Sequence, residues 1–409
     1  MNIGIIIPEI GGYTSLSIEF QKWYAIMVAL GHSIHIITGR SKQMMKQMTV
    51  MSDLHHESDF NIEFASQMFQ YTDENEQEIQ AFKTQAIRIQ GILDNWATTN
   101  ALDVIVVENY FSIPSNLPVS YATYLFFQNY ECKKIIKHHD AFYRGNVNKF
   151  TQNSFIKQVL LACFPIDMKD TFHISCNRII KSYLKEKCNV DSIIIPYVMD
   201  PQAASNSSDL QMLSLSDGFQ IFRTDKVLVH FSDLLPSSKH DQLISLLEKI
   251  NDDSFKIVSI VRKHRDYGDY HEYLNQIITD KGLKDRLVLL SEDEVLGNDS
   301  YSLDDLFRLS KGTISLDLGV SFGQPIHKAI QNKCDLLFCT ESQIDWLELS
   351  DLGCKMVNIS DEMNQDDVIQ INRHLNDDTR WGEQNYTLME QYYSKTFLKY
   401  LLNNLLLRI

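Results

Sequence analysis

The hydrophobic residues of this chain alternate between short continuous runs and longer stretches in which every third or fourth residue is apolar. A short run such as Asn2–Pro8 predicts a buried β-strand, and the spaced pattern in Ser15–Leu30 predicts an amphipathic helix. Gly31 ends that helix, and the next apolar run, Ser33–Thr38, predicts a second strand. Strands that alternate with helices in this way are typical of parallel sheets with helical crossovers.

The same alternation continues through the first half of the chain and begins again after residue 218. Further strands are predicted at Asp103–Glu108, Lys134–Lys137, Phe172–Ser175 and Ser192–Pro196, and then at Val227–Phe231, Phe255–Val261, Arg286–Leu290, Gly312–Ser315 and Asp335–Cys339. The intervening helices are predicted at Glu74–Trp96, Leu117–Glu131, Arg178–Lys187, Asp241–Ile250, Tyr270–Lys281, Ser302–Leu309 and Pro325–Asn332.

Two α/β domains follow from this pattern and from a length of 409 residues, which is too long for one ordinary core. We predict an N-terminal domain at 1–200, a linker rich in Ser, Asp and Asn up to residue 218, and a C-terminal domain at 219–380. The leucine-rich segment 381–409 is predicted as a terminal helix that packs on the N-terminal domain. A membrane-surface helix is the less favoured alternative, because the segment has few basic residues.

Composition and charge restrict the function classes. A net charge of −15 argues against broad binding to nucleic acid or anionic lipid. No apolar run is long enough to span a bilayer. Seven scattered cysteines without a C-x-x-C pair indicate reduced thiols and a cytoplasmic protein without disulfides.

Residues 314–330 predict a phosphate-binding turn. The segment reads as a strand end, a turn at Gly323 and a helix whose first turn contains Pro325. Backbone N–H groups at the start of such a helix form a ready anion site. An ordinary strand-to-helix loop is the alternative that this segment alone favours.

Several segments taken together resemble glycosyltransferase family 4, the retaining enzymes with the GT-B architecture of two Rossmann-like, doubly wound domains that face a central cleft. The matching segments are GHSIHIIT, NLPVSYATYLFFQNYECKKIIKHHDAFYRG, IIPYVMD and YSLDDLFRLSKGTISLDLGVSFGQPIHKAI. The resemblance implies that the second domain holds a nucleoside diphosphate sugar and the first holds the acceptor. It also implies no metal or other cofactor, and the sequence contains no D-x-D motif for a metal-bound diphosphate.

The resemblance implies a catalytic histidine in the HHDAFY segment, and we predict His139 with Asp140 in that role. Both side chains would bind sugar hydroxyls and stabilise positive charge in the transition state. Adjacent side chains on an extended chain point in different directions, so His138 and His139 are not expected to chelate one metal. The neighbouring basic residues are either a solvated rim or an attraction for anions; they are Lys133, Lys134, Lys137, Arg144 and Lys149.

The donor-binding candidates depart from the family pattern. Gly12 allows close approach of a ligand to the backbone, or it simply forms a tight turn. Lys239 is the predicted diphosphate lysine, whereas Asp233 stands where the family has an arginine. Arg262 is a candidate substitute on charge alone.

Both family glutamates around the glycine turn are replaced, by Val320 and by Lys328. The turn itself, Ser321–Phe322–Gly323, is retained, so these residues, Gln324 and Lys328 remain candidates for donor binding.

We therefore predict a metal-independent, retaining hexosyltransferase that uses a nucleoside diphosphate sugar and a hydroxyl acceptor. The alternative is a catalytically inactive relative that binds sugar or nucleotide, or that acts as partner subunit of an active glycosyltransferase. Val320, Lys328 and Asp233 motivate the alternative, because each removes or reverses a contact that the family makes.

Overall fold

A computed structural model describes residues 1–12, 14–68, 76–141, 151–199, 221–222, 224–262, 268–291, 294–295, 302–316 and 324–409. These residues form two compact units. The first is Met1–Tyr197 together with Leu398–Ile409, and the second is Val198–Phe397.

The first unit contains a seven-stranded parallel sheet in the order β3-β2-β1-β4-β5-β6-β7. Its strands are β1 (Asn2–Ile10), β2 (Ser33–Ser41), β3 (Met48–Val50), β4 (Val104–Glu108), β5 (Lys133–His138), β6 (Thr171–Ser175) and β7 (Ser192–Ile194). Its helices are α1 (Ser15–Ala29), α2 (Asp59–Met68), α3 (Glu76–Thr99), α4 (Leu117–Asn129), α5 (Ser154–Cys163) and α6 (Arg178–Cys188), with a short 3₁₀ helix at Ser52–Leu54.

The second unit contains a six-stranded parallel sheet in the order β10-β9-β8-β11-β12-β13. Its strands are β8 (Lys226–Asp233), β9 (Phe255–Arg262), β10 (Leu287–Ser291), β11 (Gly312–Ile314), β12 (Leu336–Cys339) and β13 (Val357–Asn358). Its helices are α7 (His240–Lys249), α8 (Gly268–Asp280), α9 (Leu303–Leu309), α10 (Gln324–Gln331), α11 (Ile344–Ser350), α12 (Gln365–Asn376) and α13 (Gly382–Tyr392), with a 3₁₀ helix at Pro236–Ser238. Helix α14 (Lys395–Arg408) ends the chain.

Local sequence explains these elements. All five residues of β4 are buried, as expected for a central strand of a parallel sheet, which is covered on both faces. Helix α4 begins after Asn116, whose side chain accepts the N–H of Val119, and Pro118 occupies its first turn. Helix α6 ends at Asn189, which adopts the left-handed conformation that asparagine tolerates.

The strand order reverses between β1 and β4 in the first sheet and between β8 and β11 in the second. Doubly wound sheets bind ligands beyond the carboxyl ends of the strands at such a reversal. The predicted α/β class with two Rossmann-like units is therefore confirmed, and each unit has one expected place for a ligand.

The prediction of one helix over 381–409 is wrong, because the C-terminal segment forms two helices. Helices α13 and α14 are separate because the chain turns at Tyr393, and the hydroxyl of Ser394 accepts the N–H of Phe397, which starts a new helix. The predicted linker at 200–218 lies outside the described residues. The short strands β3 and β13 were not predicted, since neither contains a continuous apolar run.

All seven cysteines are free thiols. Among the described residues, no helix combines the length and the apolar character that crossing a membrane requires.

Candidate functional site

Charged side chains meet at the carboxyl ends of β4 and β5 in the first unit. Glu108 is the last residue of β4, and its Oε1 lies 2.8 Å from Nζ of Lys137 on β5. Its other carboxylate oxygen, Oε2, lies 2.7 Å from Nε2 of His139, which follows β5. One carboxylate thus links two neighbouring strand ends.

Two aromatic residues complete this arrangement. The hydroxyl of Tyr197 lies 2.5 Å from Nδ1 of His139, and Nζ of Lys137 lies 3.9 Å from the ring centroid of Trp23. We call Glu108, Lys137, His139 and Tyr197 the buried network, because none of the four is more than 4% exposed.

The protonation states in the buried network follow from burial and charge. Burial raises the pKa of Glu108, but Lys137 and the hydrogen bond from His139 outweigh it and hold that pKa below its usual value. Burial raises the pKa of Tyr197 well above its usual value, so its hydroxyl stays neutral. The consistent assignment has Tyr197 donating to Nδ1 of His139 and Nε2–H of His139 donating to Glu108.

Asp140 lies beside the buried network and is only half-buried. Its Oδ2 accepts a hydrogen bond of 3.2 Å from Nδ2 of Asn109, whose Oδ1 accepts the backbone N–H of His139 at 3.3 Å. Asn109 follows β4 with a φ of 67°, a left-handed conformation that asparagine adopts more readily than most residues. This turn holds the Asp140 carboxylate at the edge of the sheet.

The structure therefore brings His139 and Asp140 to the expected edge of the sheet, and it assigns them different surroundings. Both ring nitrogens of His139 bond to groups of the protein itself, whereas Asp140 remains partly accessible. His138 points away from His139, since its ring bonds to Ser112 at 3.1 Å and to His173 at 3.0 Å. The two adjacent histidines diverge as the sequence predicted.

The predicted basic rim is not one surface. Lys133 begins β5 and pairs with Asp170 at 2.8 Å, whereas Lys137 lies near the opposite end of the strand and is buried against Glu108. Arg144 and Lys149 lie outside the described residues.

Gly12 lies in a turn that closes on itself after β1. The N–H groups of Gly11 and Gly12 both donate to the hydroxyl of Ser17, at 2.7 and 3.3 Å. Gly11 has a φ of 80°, which favours glycine. This arrangement matches the tight-turn alternative, since the two amides already have a partner.

In the second unit, Lys239 lies between the 3₁₀ helix after β8 and helix α7. Its backbone has a φ of 57°, and its buried ammonium donates to the backbone carbonyl of Asp361 and lies 3.7 Å from the carboxylate of Glu362. Arg262 ends β9 in register with Asp233 of β8, so a basic and an acidic residue occupy adjacent strand ends.

The glycine-turn candidates are only partly described. Lys328 lies in α10, and its ammonium contacts both carboxylate oxygens of Asp304 at 3.0 Å. Gln324 begins that helix. Ser321, Phe322, Gly323 and Val320 lie outside the described residues, as do the side chains of Arg262 and Gln324.

Sequence reasoning missed Glu108, Asn109 and Tyr197. The available signal for Glu108 was a charge that ends the continuous apolar run VIVV, since buried charges are rare without a partner. Tyr197 gave no such signal, because it contacts His139 across 58 positions of sequence.

Comparisons with known proteins find relatives that align along most of the chain. No protein-family model matches the chain. A mannosylglucosylglycerate synthase of Petrotoga mobilis is 21% identical over 417 aligned residues, which cover 92% of each chain.

Solved structures share the fold over the whole chain. Sucrose-phosphate synthase from Thermosynechococcus elongatus superposes with a TM-score of 0.69 at 10% identity, covering 100% of this chain and 98% of that one. The Anabaena protein HepE in complex with UDP-glucose superposes with a TM-score of 0.66 at 13% identity, covering 100% of both chains. These similarities confirm the GT-B type of fold.

Proposed function

We propose that this protein is a glycosyltransferase that moves a hexose from a nucleoside diphosphate sugar to a hydroxyl group of an acceptor. The observation that carries the proposal is the alignment with a named mannosylglucosylglycerate synthase over 92% of both chains, because it spans both units rather than one Rossmann-like sheet. The resemblance to family 4 adds retention of configuration, independence from metal ions and a cytoplasmic location.

The first unit supplies the groups nearest to the reacting sugar in this proposal. Asp140 is the accessible carboxylate beyond β5, suited to accept hydrogen bonds from sugar hydroxyls. His139 is held by Glu108 and Tyr197, so it acts by contact of its ring and by the position it gives to Asp140. A fixed carboxylate of this kind stabilises positive charge that develops at the anomeric carbon.

The second unit supplies charge for the diphosphate in this proposal. As the donor breaks, the bond from the anomeric carbon to the diphosphate oxygen gives both electrons to that oxygen. The acceptor oxygen attacks the anomeric carbon from the same face and passes its proton to the departing diphosphate oxygen. Lys239 is the cation assigned to the leaving diphosphate, and its contacts with Asp361 and Glu362 would have to loosen as the donor binds.

The relative's name indicates the substrates to try first. We propose a hexose donor such as GDP-mannose or UDP-glucose, and an acceptor of the glucosylglycerate class. The test incubates the full chain with mixed nucleotide sugars and with glucosylglycerate, glucose or D-glycerate. Mass spectrometry detects a product heavier by one hexose, NMR reads its anomeric configuration, and EDTA tests the need for metal.

Lys239→Met tests the donor site. Removing a hydrogen bond to a charged group costs about 1.5–3 kcal/mol, so the KM for the donor should rise roughly ten- to hundredfold. Lys249→Met is the matched control, since Lys249 is an exposed lysine in the last turn of α7, and its donor KM should stay within about twofold. Absence of transfer and of donor hydrolysis with every nucleotide sugar would refute the proposal and favour the inactive partner subunit.

A further inference from the structure

A second polar cluster lies at the carboxyl ends of β1 and β2 in the first unit. Glu9 and Arg40 are partners in the register of these two strands, and Nη2 of Arg40 lies 2.9 Å from Oε2 of Glu9. The other end of the guanidinium, Nη1, lies 3.5 Å from Oε2 of Glu57. Because the strands are parallel, these groups share the edge of the sheet at which doubly wound folds bind ligands.

A close backbone approach brings His55 to this edge. The segment after the 3₁₀ helix at Ser52–Leu54 passes directly over Gly39 of β2, where a Cβ atom would lie only 2.2 Å from the backbone nitrogen of His55. Glycine is thus required at this position, and the resulting contact places Nε2 of His55 3.6 Å from Oε2 of Glu9. The close approach of the backbone at Gly39 therefore places His55 beside the Glu9–Arg40 pair.

The hydrogen bonds of His55 fix its proton. Its Nδ1 accepts the backbone N–H of Glu57 at 3.1 Å, so in the neutral ring the proton is on Nε2. His55 is 5% exposed, and within the described part of the chain its Nε2 has no hydrogen-bond partner. A buried donor without an acceptor is rare in folded proteins, and this one lies beside the carboxylate of Glu9, whose side chain is 16% exposed.

A metal ion is the first alternative to consider. His55, His56 and Glu57 offer ligand atoms within 4.8 Å of one another. A metal needs a nitrogen lone pair, however, and in His55 one nitrogen accepts a backbone N–H while the other carries the proton. Arg40 also lies against Glu57 and neutralises charge that would attract a cation. The cluster is better suited to a ligand that both accepts and donates hydrogen bonds.

Charge identifies that ligand further. The two carboxylates and the guanidinium of Glu9, Glu57 and Arg40 sum to a net charge of about −1, which disfavours a carboxylate or phosphate at this point. A sugar hydroxyl accepts from Nε2–H of His55 and donates to Glu9, and a neighbouring hydroxyl accepts from Arg40, whose side chain is 48% exposed. The geometry thus matches two adjacent hydroxyl groups.

We propose that Glu9, Arg40 and His55 form a binding site for adjacent hydroxyl groups of a neutral sugar ring, which is the glucosyl part of the acceptor. This inference rests on the proposed function. It adds a place for the acceptor's neutral ring, at this edge of the first sheet. Any acidic group of the acceptor must lie elsewhere.

The experiment compares Glu9→Gln and His55→Phe with the unchanged chain, using glucosylglycerate as acceptor. Each variant should raise the acceptor KM roughly ten- to hundredfold, while the donor KM and the hydrolysis of donor without acceptor stay within about twofold. Glu186→Gln, an exposed carboxylate on α6, is the matched control and should change neither KM. A merely structural role would alter donor kinetics as well, so the split between the two KM values is the decisive readout.

Binding measured without turnover separates this inference from the proposed function. NMR titrations with glucose, glucosylglycerate and D-glycerate should show that both variants weaken the first two ligands and leave D-glycerate unchanged. If the unchanged chain transfers no sugar yet this pattern appears, the site still binds a neutral sugar ring and the proposed function fails. Three results would overturn the inference. The acceptor KM values of the variants could be unchanged, or neither glucose ligand could bind. The third is stoichiometric Zn²⁺ binding that both variants abolish without affecting the binding of glucosylglycerate.

Discussion

Lys137→Met should destabilise the first unit strongly, because it leaves the Glu108 carboxylate buried with one partner fewer. Lys137 and Glu108 are 3% and 1% exposed, so almost no water can replace the lost ammonium. Removing one member of a buried ion pair typically costs about 3–5 kcal/mol. For a unit of this size that corresponds to a melting temperature lower by roughly 6–20 °C.

The same structure predicts how this effect depends on pH. In the unchanged chain the lowered pKa of Glu108 contributes stability above the usual carboxylate pKa of about 4.5, and this is lost as the pH falls through the folded value. In Lys137→Met the burial that raises the pKa of Glu108 remains, but the ammonium that lowers this pKa most is gone. The carboxyl then binds a proton at higher pH, so the difference in stability between the two proteins should shrink from about pH 7 to about pH 5.

Thermal unfolding measures the loss of stability, and hydrogen exchange of peptides from β4 and β5 shows whether that loss lies in the first unit. Lys133→Met is the matched control, because Lys133 begins the same strand but pairs with Asp170 where both side chains are largely accessible. An exposed pair contributes about 0–1 kcal/mol, so the control should melt within a few degrees of the unchanged chain. Equal losses for the two variants, or a loss in Lys137→Met that is the same at both pH values, would refute the reasoning.

Two further predictions concern buried groups away from the buried network. Burial lowers the pKa of His173 to about 4, so the unfolded chain binds more protons below the usual histidine value and stability falls as the pH drops. Urea unfolding should show a loss of about 1.3 kcal/mol from this residue between roughly pH 7.5 and 5.5, and His173→Gln should remove that slope. Gly312→Ala would place a Cβ atom 1.8 Å from the carbonyl oxygen of Leu336 and should lower the free energy of unfolding by about 1–3 kcal/mol or more. Gly91 has open space around an exposed helical position, so Gly91→Ala should raise the free energy of unfolding by about 0.5–1 kcal/mol. Calorimetry of both variants checks this contrast.

The order of most strands and helices was predictable because each central strand is a continuous apolar run and many helices have a periodic one, although helices α2, α5, α11 and α12 were not predicted. The predicted strand at Asp103–Glu108 and the observed β4 differ by one residue, for example. The edge strands β3 and β13 escaped prediction because an edge strand is short and need not be apolar on both faces. The break before α14 depends on one serine hydroxyl that caps a helix, and the leucine pattern on either side hides it.

Candidate site residues were harder to predict than elements, since the relevant contacts are distant in sequence. The HHDAFY segment placed His139 and Asp140 correctly after β5, but nothing local indicates that Glu108 and Tyr197 occupy both ring nitrogens. Likewise, Lys328 reads as a free cation until Asp304 is found opposite it. Sequence identifies which residue types reach the sheet edge, and only the folded structure shows which of them are already satisfied.

That distinction decides how the first unit can work. A group whose hydrogen bonds are complete within the protein can position a substrate by shape, but it has no donor or acceptor left for a sugar hydroxyl. His139 belongs to this class, whereas Asp140 and the unmet Nε2–H of His55 do not. If the protein transfers a sugar, we therefore expect Asp140 and His55, among the described residues of the first unit, to recognise hydroxyl groups, while the buried network keeps the strand ends rigid.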